Sequence, residues 1–360
     1  MGDVSILDDL DMIGKIDTEN MLGIEENFSE QLQRAKAIGI SIDVSKINSL
    51  NIKGIAFLGM GGSGFAGDFI KNLVKYECKL PIEIVKGYKL PAFVKNDWLA
   101  IAVSYSGDTE ETISAATEAL SRKCEVIFVS SGGKIEEIAN QSNKIHIKVP
   151  GGFQPRAASG YLFIPLLILF EKLGFISSKL KEIDDSILSI KKLSEEYGRT
   201  NPLDKNYAKK IAFEIGSKLP IIYGYEGVLS SIAFRWKCQI NENSKGPSFY
   251  NEFPELNHNE TVGWDRLSDI TKNFVLIYFK DSKESIRINT RINTTINLIK
   301  ENFSKTIEVP VTGKSPLEKA LNTMFLGGIS SVYLAILNHT NPTPVDKIKV
   351  LKAELAKIKD

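Results

Sequence analysis

Cysteine is scarce in this 360-residue chain: Cys78, Cys124 and Cys238 are the only three. An odd count at such long separations builds neither a disulfide framework nor a zinc spacing, and it suits a reducing cytosol. Charge of one sign is also missing, since 45 Lys plus Arg against 44 Asp plus Glu leave a formal net charge of +1. No global field therefore draws DNA, RNA or an anionic membrane to the surface, and any anion must be held by a local site. Apolar runs such as Tyr161 to Phe170 stop short of the roughly 18 to 20 residues that span a bilayer. The opening stretch, MGDVSILDDLDMIGKID, carries acids where a signal peptide carries bases. The expectation is a cytoplasmic protein with neither a membrane nor a nucleic-acid partner. What is present, 43% hydrophobic and 25% charged residues, is ordinary globular composition, and the length is a prior for two domains.

Residues 1–48 read as a helical lead-in, with one helix near Thr18 to Ile38 whose apolar residues recur at three-to-four spacing. From Ile55 short β-rich runs alternate with amphipathic segments: IAFLGM, PIEIVKGY, WLAIAVSYS, CEVIFVSSG and KIHIKVP. Such alternation implies βαβ crossovers and a mostly parallel sheet covered on both faces. A helical connection over 156–200 follows. The alternation then resumes in KLPIIYGYE, NFVLIYFKD and TIEVPVTG, and the chain closes with helices at Leu317 to Asn338 and Pro344 to Lys359. The fold class expected is α/β, with domains over 49–155 and 201–340 and a helical tail over 341–360.

Two turns in the first domain carry candidate chemistry. The first strand runs into Gly59-Met60-Gly61-Gly62-Ser63-Gly64, which matches the spacing of a dinucleotide fingerprint. That site needs an acid at the tip of the next strand, and here Glu83 lies inside the strand while Lys86 and Gly87 end it. The turn then reads either as a plain strand-to-helix connection or as a loop that offers backbone amides and Ser63 to a small polar ligand. The third strand ends in Ser104-Tyr105-Ser106-Gly107-Asp108-Thr109, just before a helix. Three hydroxyls, Ser104, Ser106 and Thr109, around a helix N-terminus suit a phosphate monoester, although Ser106 or Asp108 could simply cap the helix.

In the second domain, the helix Val228 to Ile240 ends in Asn241-Glu242-Asn243-Ser244-Lys245. A carboxylate there opposes the helix dipole, and broken local rules often mark function; the plain alternative is a solvated Glu242 paired with Lys245. Of three histidines, His146 lies in an alternating strand and His339 at a helix end. His258 sits between Asn257 and Asn259, which could fix its tautomer, and is the better candidate acid or base.

Together GMGGSGFAGD and SYSGDTEET resemble the sugar isomerase (SIS) domain, a fold that holds phosphorylated sugars at the ends of parallel strands. Adding GGFQPRAASGY, NENSKGPSFYNEFPELNHNE and PTPVDKIKVLK, the chain from about Gly59 onward is similar to the archaeal and bacterial bifunctional phosphoglucose/phosphomannose isomerases. The resemblance implies two SIS domains and an aldose–ketose isomerase acting on hexose 6-phosphates without metal or other cofactor. It also implies a homodimer in which His258 crosses to the other subunit. Glu242 then matches the base, His258 the ring-opening residue, and Arg156 the arginine facing the reacting carbons. Ser104, Ser106 and Thr109 match the phosphate grip, while Gly61, Gly62 and Ser63 line the sugar. A C-terminal lysine, Lys352 with Lys349 as the alternative, also reaches the site. A sugar-phosphate-sensing regulator would need a helix-turn-helix and a basic face, which residues 1–48 lack. An amidating relative would need a nucleophilic cysteine, and the three cysteines are poorly placed for one.

Overall fold

The structure is a computed structural model that describes residues 4–355, 357 and 358. The first sheet contains β1 (Gly54–Leu58), β2 (Ile82–Val85), β3 (Trp98–Val103), β4 (Glu125–Ser130) and β5 (Ile145–Lys148), all parallel in the order β2-β1-β3-β4-β5. β1 and β3 are buried at every residue, as central strands covered on both faces must be, and Phe57 pairs with Ile101 across them. The second sheet contains β6 (Leu219–Tyr225), β7 (Phe249–Phe253), β8 (Phe274–Lys280) and β9 (Lys305–Pro310), again all parallel, in the order β7-β6-β8-β9. In the first sheet the order reverses between β1 and β3. The glycine turn follows one of those strands and the hydroxyl turn the other, so both open at the switch point where such sheets bind ligands.

Three differences from the sequence reading bear on the site. β7 was not foreseen: its burial runs exposed, exposed, intermediate, intermediate, buried, as befits an edge strand, and FYNEF carries no apolar alternation. An unpredicted helix, Leu10–Ile16, precedes the one expected near Thr18 to Ile38, which is divided in two, Met21–Glu26 and Phe28–Ser41. Polar side chains cut it: Asp17 accepts from the amides of Met21 and Leu22 at 2.8 and 2.7 Å, and Asn27 Nδ2 donates to the Gly23 carbonyl at 2.8 Å. The closing helix runs over Asp346–Leu355, and the Lys359 end expected for it lies outside the described residues.

The N-terminal helices belong to the core. Phe28–Ser41 packs along Ser159–Lys172, burying Phe28, Leu32 and Ala35 against a helix whose residues 159–170 are all buried. Truncating Leu32 to Ala would cost about 2 to 5 kcal/mol by cavity formation. The second half is centred on Pro316–Leu337, which packs on Leu180–Tyr197, Tyr207–Ile215 and Val228–Gln239. This 22-residue helix is long and apolar enough to cross a bilayer, which the sequence reading had not counted, but its most apolar window is wholly buried within the protein.

Candidate active site

The helix Gly61–Leu73 begins directly at the glycine turn, with Met60 as an N-cap that offers no side-chain acceptor. Amides of its first turn, at Gly61, Gly62 and Ser63, thus have no intrahelical partner and face the switch point. Gly62 lies against the segment that carries Arg156, since a Cβ there would approach the Pro155 carbonyl oxygen to 3.1 Å. Ser63 Oγ accepts from the Tyr105 amide at 3.1 Å, which ties the glycine turn to the hydroxyl turn and leaves the Ser63 O–H free to donate. Lys86, at the end of β2 where a dinucleotide site would want an acid, pairs with Asp68 at 2.5 Å.

In the hydroxyl turn, Ser104 is fully buried and donates to Thr109 Oγ1 at 2.9 Å, while exposed Ser106 accepts from the Asp108 amide at 3.3 Å. Gly107 has φ +83°, and a Cβ on it would collide with the Gly132 carbonyl, so only glycine lets the two turns meet. Thr109 is the N-cap of Glu110–Ser121, but its side chain makes no cap bond. The three hydroxyls therefore share one turn at a helix N-terminus, with Ser106 making only the local bond expected of a capping residue.

Tyr105, which the sequence reading passed over, joins this turn to the rest of the site. Its hydroxyl donates to the Pro150 carbonyl at 2.9 Å and accepts from the Phe153 amide at 3.0 Å, holding the loop that leads to Arg156.

Arg156 is 2% exposed and held on three sides. Nε donates to Asn243 Oδ1 at 2.6 Å, and Nη2 donates to the carbonyls of Pro342 and Thr343 at 2.8 and 2.9 Å. Nη1 reaches Glu242 Oε2 at 3.4 Å. Four of the five guanidinium N–H groups are thereby accounted for, and one Nη1 hydrogen has no acceptor among the described residues. Burial lowers the Arg156 pKa from its ordinary value; Glu242 opposes that shift and Arg235 adds to it.

Glu242 does not stand at a simple α-helical end. The helix Val228–Gln239 passes into a π turn over Ile240–Ser244, a widening often found at functional sites. Lys245 follows at φ +57° and ends the helix. Its ammonium donates to the backbone carbonyls of Glu242 and Asn243, and to that of Pro342 at 2.9 Å, rather than to the Glu242 carboxylate. A cation thus offsets the negative end of the helix and leaves the carboxylate, 28% exposed, paired among the described residues with Arg156 alone. Although the residue is exposed, the ammonium sits among carbonyls close to Arg156; burial first, then Arg156, pull its pKa down to about 8. Glu242 lines a cavity of about 450 Å³ with Asn241, Lys245, Pro344, Val345, Asp346, Lys347 and Ile348.

Two sequence candidates stand apart from this cluster within the single chain. His258 is exposed on the short turn Glu255–His258 after β7 and does not line the Glu242 cavity. The flanking asparagines do not orient it, contrary to expectation: Asn257 Nδ2 donates to Thr295 Oγ1 at 2.7 Å and Asn259 Oδ1 accepts from the Glu260 amide at 2.6 Å. Lys352 is exposed on Asp346–Leu355, and Lys349 pairs with Asp346 at 3.5 Å. Lys347, on the same helix, lines the cavity; Lys352 lies five residues farther on, about 7.5 Å along the axis. Asn243, Lys245 and Tyr105 were missed as site residues. The polar run NENSK was a signal for the first two, but nothing in the sequence told which partner each would take.

Residues 50–169 match the SIS domain family, and residues 204–355 match the bacterial phospho-glucose isomerase C-terminal SIS domain. A bifunctional phosphoglucose/phosphomannose isomerase from Caldicellulosiruptor bescii is 41% identical over 334 residues, covering 93% of this chain and 98% of that protein. Its namesake from Aquifex aeolicus is 35% identical over 306 residues, covering 85% and 91%. Among solved structures, a glucose-6-phosphate isomerase like protein from Thermus thermophilus superposes with a TM-score of 0.63 over 96% of this chain and 98% of that one. At 15% identity that likeness is one of fold.

Proposed function

This chain belongs to the bifunctional phosphoglucose/phosphomannose isomerase family, and on that footing we propose that it interconverts glucose 6-phosphate and mannose 6-phosphate with fructose 6-phosphate. The observation that carries the reading is the pairing of Glu242, open to a cavity, with a guanidinium 3.4 Å away that three other hydrogen bonds hold in place. Glu242 takes the C2 proton of the open-chain aldose, and the C–H electrons form the C1–C2 double bond of a cis-enediol as those of the carbonyl move onto O1. The remaining Arg156 N–H meets that developing charge, a contribution of about 3 to 4 kcal/mol for a strong preorganised donor. The O2 hydroxyl proton passes to O1 between the two cis oxygens, and Glu242 returns its proton to C1 as the O2 electrons form the carbonyl at C2. Glucose and mannose phosphates differ only at C2 and share this intermediate, so one carboxylate serves both once the enediol turns its other face.

The phosphate belongs at the hydroxyl turn of Ser104, Ser106 and Thr109, with Gly61, Gly62 and Ser63 along the sugar. Ring opening falls to His258, which in this reading reaches the site of a neighbouring subunit in a homodimer. Its exposure, and that of Phe249 (55%) and Tyr250 (42%) on the adjacent edge strand, support a surface that a second copy covers. The three unpaired cysteines support a cytoplasmic setting. A coupled assay of fructose 6-phosphate formation from each hexose phosphate, with chelator present, tests the whole reading. Activity on both sustains it, and turnover of neither overturns it.

A further inference from the structure

The N-terminal helices lie outside the motifs that carry the isomerase likeness, yet two of their buried polar side chains reach the turn that holds Arg156. Gln31, on Phe28–Ser41, is buried. Its Nε2 donates to the Ala157 carbonyl at 2.7 Å and its Oε1 accepts from the Gly160 amide at 2.7 Å. One side-chain amide thus clamps the backbone directly after Arg156. The approach is close enough that a Cβ on Gly160 would stand 2.7 Å from Gln31 Oε1.

Glu25, on Met21–Glu26, is also buried and lies over Gly328 of the central helix, where a Cβ would stand 2.6 Å from its Oε2. Its carboxylate makes no hydrogen bond or ion pair among the described residues. Arg235 and Arg156 are the cations whose field reaches it, drawing its pKa down against burial. Arg235, 1% exposed, donates Nη2 to the backbone carbonyl of Arg156 itself and stacks over the Phe65 ring at 5.1 Å. Its Nε has no acceptor among the described residues, and neither has the neighbouring Gln239 Oε1 a donor. Two sealed guanidinium groups against the single carboxylate of Glu242 would leave the site with a surplus positive charge. Burying that surplus is unfavourable unless a carboxylate offsets it. Burial pushes the Glu25 pKa up to about 7, against the pull of Arg235 and Arg156, so it is partly ionised near neutrality.

We propose that Glu25 and Gln31 are positioning residues for the isomerisation: Gln31 fixes the backbone that follows Arg156, and Glu25 supplies the counter-charge that keeps Arg235, and through it Arg156, in place beside Glu242. The inference rests on the reading of Arg156 as the group that receives the enediolate charge. On this account the N-terminal helices are part of the catalytic apparatus, although none of their side chains touches substrate.

The test uses the full chain and the isosteric variant Glu25→Gln, with turnover, substrate affinity and thermal unfolding measured together. A folded Glu25→Gln protein is expected to lose kcat on the order of tenfold to a hundredfold through a displaced Arg156, with KM changed less than about twofold. Glu25→Asp, which keeps the charge, should recover part of the loss. In an Arg156→Lys background the same change should cost little further, because both act through one group. Equal losses in the two backgrounds, or an unchanged kcat in a folded Glu25→Gln protein, would overturn the proposal. Should Glu25→Gln fail to fold, Gln31→Glu, which keeps the acceptor for Gly160 and loses the donor to Ala157, must show the same kcat-selective loss. Failure of both to fold would make them scaffold residues and also overturn it. Turnover by the unmodified protein decides the reading of function separately. If that protein were inactive, the affinity of each variant for 5-phosphoarabinonate, an anionic mimic of the enediolate, would make the same comparison.

Discussion

Arg156 Nε donates to Asn243 Oδ1 at 2.6 Å, and the amide of that asparagine donates in turn to Ser331 Oγ at 2.8 Å. Asn243 follows Glu242 on the same π turn, so the element that presents the carboxylate also orients the guanidinium. Removing the amide as Asn243→Ala strands a buried donor on Arg156 and should destabilise the fold by about 1 to 3 kcal/mol. It should also lower kcat on both hexose phosphates more than it raises KM. Urea unfolding and steady-state kinetics on one preparation check this, and a wild-type kcat would detach Asn243 from the chemistry.

Ser104 and Thr109 are already bonded to one another at 2.9 Å, so their oxygens are held before any ligand arrives. Hydrogen bonds to a charged group are worth about 1.5 to 3 kcal/mol, and Ser104→Ala with Thr109→Val should raise KM for the phosphates by about tenfold or more. Because a phosphate grip is uniform binding, kcat should change little. An unchanged KM places the phosphate elsewhere.

Lys245 makes a pH-dependent expectation. Its pKa is lowered from the ordinary lysine value to about 8 because its ammonium is partly buried and lies near Arg156. A lowered lysine pKa means that the neutral, nucleophilic amine appears as pH rises through about 8, well before ordinary lysines titrate. Trinitrobenzenesulfonate labelling followed by peptide mapping should therefore mark Lys245 ahead of Lys347 and Lys352 between pH 7 and about 9. The sign for stability agrees: between the two pKa values the unfolded chain binds the extra proton, so this group favours folding increasingly as pH rises. Labelling no faster than at Lys352 would contradict the assignment.

His258 is exposed and does not line the cavity of Glu242, which makes subunit mixing informative. A preparation of Glu242→Gln mixed with His258→Ala contains hybrids with one intact pair if the histidine crosses the interface. Random exchange should then restore roughly a quarter of wild-type activity on ring-form glucose 6-phosphate. Absence of recovery, with exchange verified, would confine His258 to its own chain.

Much of the fold was legible because its strands are covered on both faces. β1, β3 and β4 are apolar nearly throughout, and a run of that kind between glycine-rich turns has few other readings. The edge strand β7 escaped because Phe249 and Tyr250 face outward and a polar pair follows them. Among site residues, Glu242 was visible because a carboxylate near a helix end is locally unfavourable, and Arg156 entered through its motif. Tyr105 and Gln31 were not visible, and for Asn243 the polar run NENSK gave a place but no partner. Each acts through a long-range bond to a backbone or side chain whose approach depends on tertiary packing, and nothing local marks such a residue. Lys352 shows the converse, since a motif can point to a lysine that a single chain leaves in solvent.

In the proposed isomerisation one carboxylate, Glu242, carries the proton between C2 and C1. The most direct measurement is deuterium incorporation at those carbons from heavy water, followed by NMR, in wild type and in Glu242→Gln at saturating fructose 6-phosphate. Incorporation is expected with the wild type and none above background with the variant, whose substrate affinity stays within about tenfold because binding rests on other residues. Exchange persisting in the variant at a rate near that of the wild type would contradict that role.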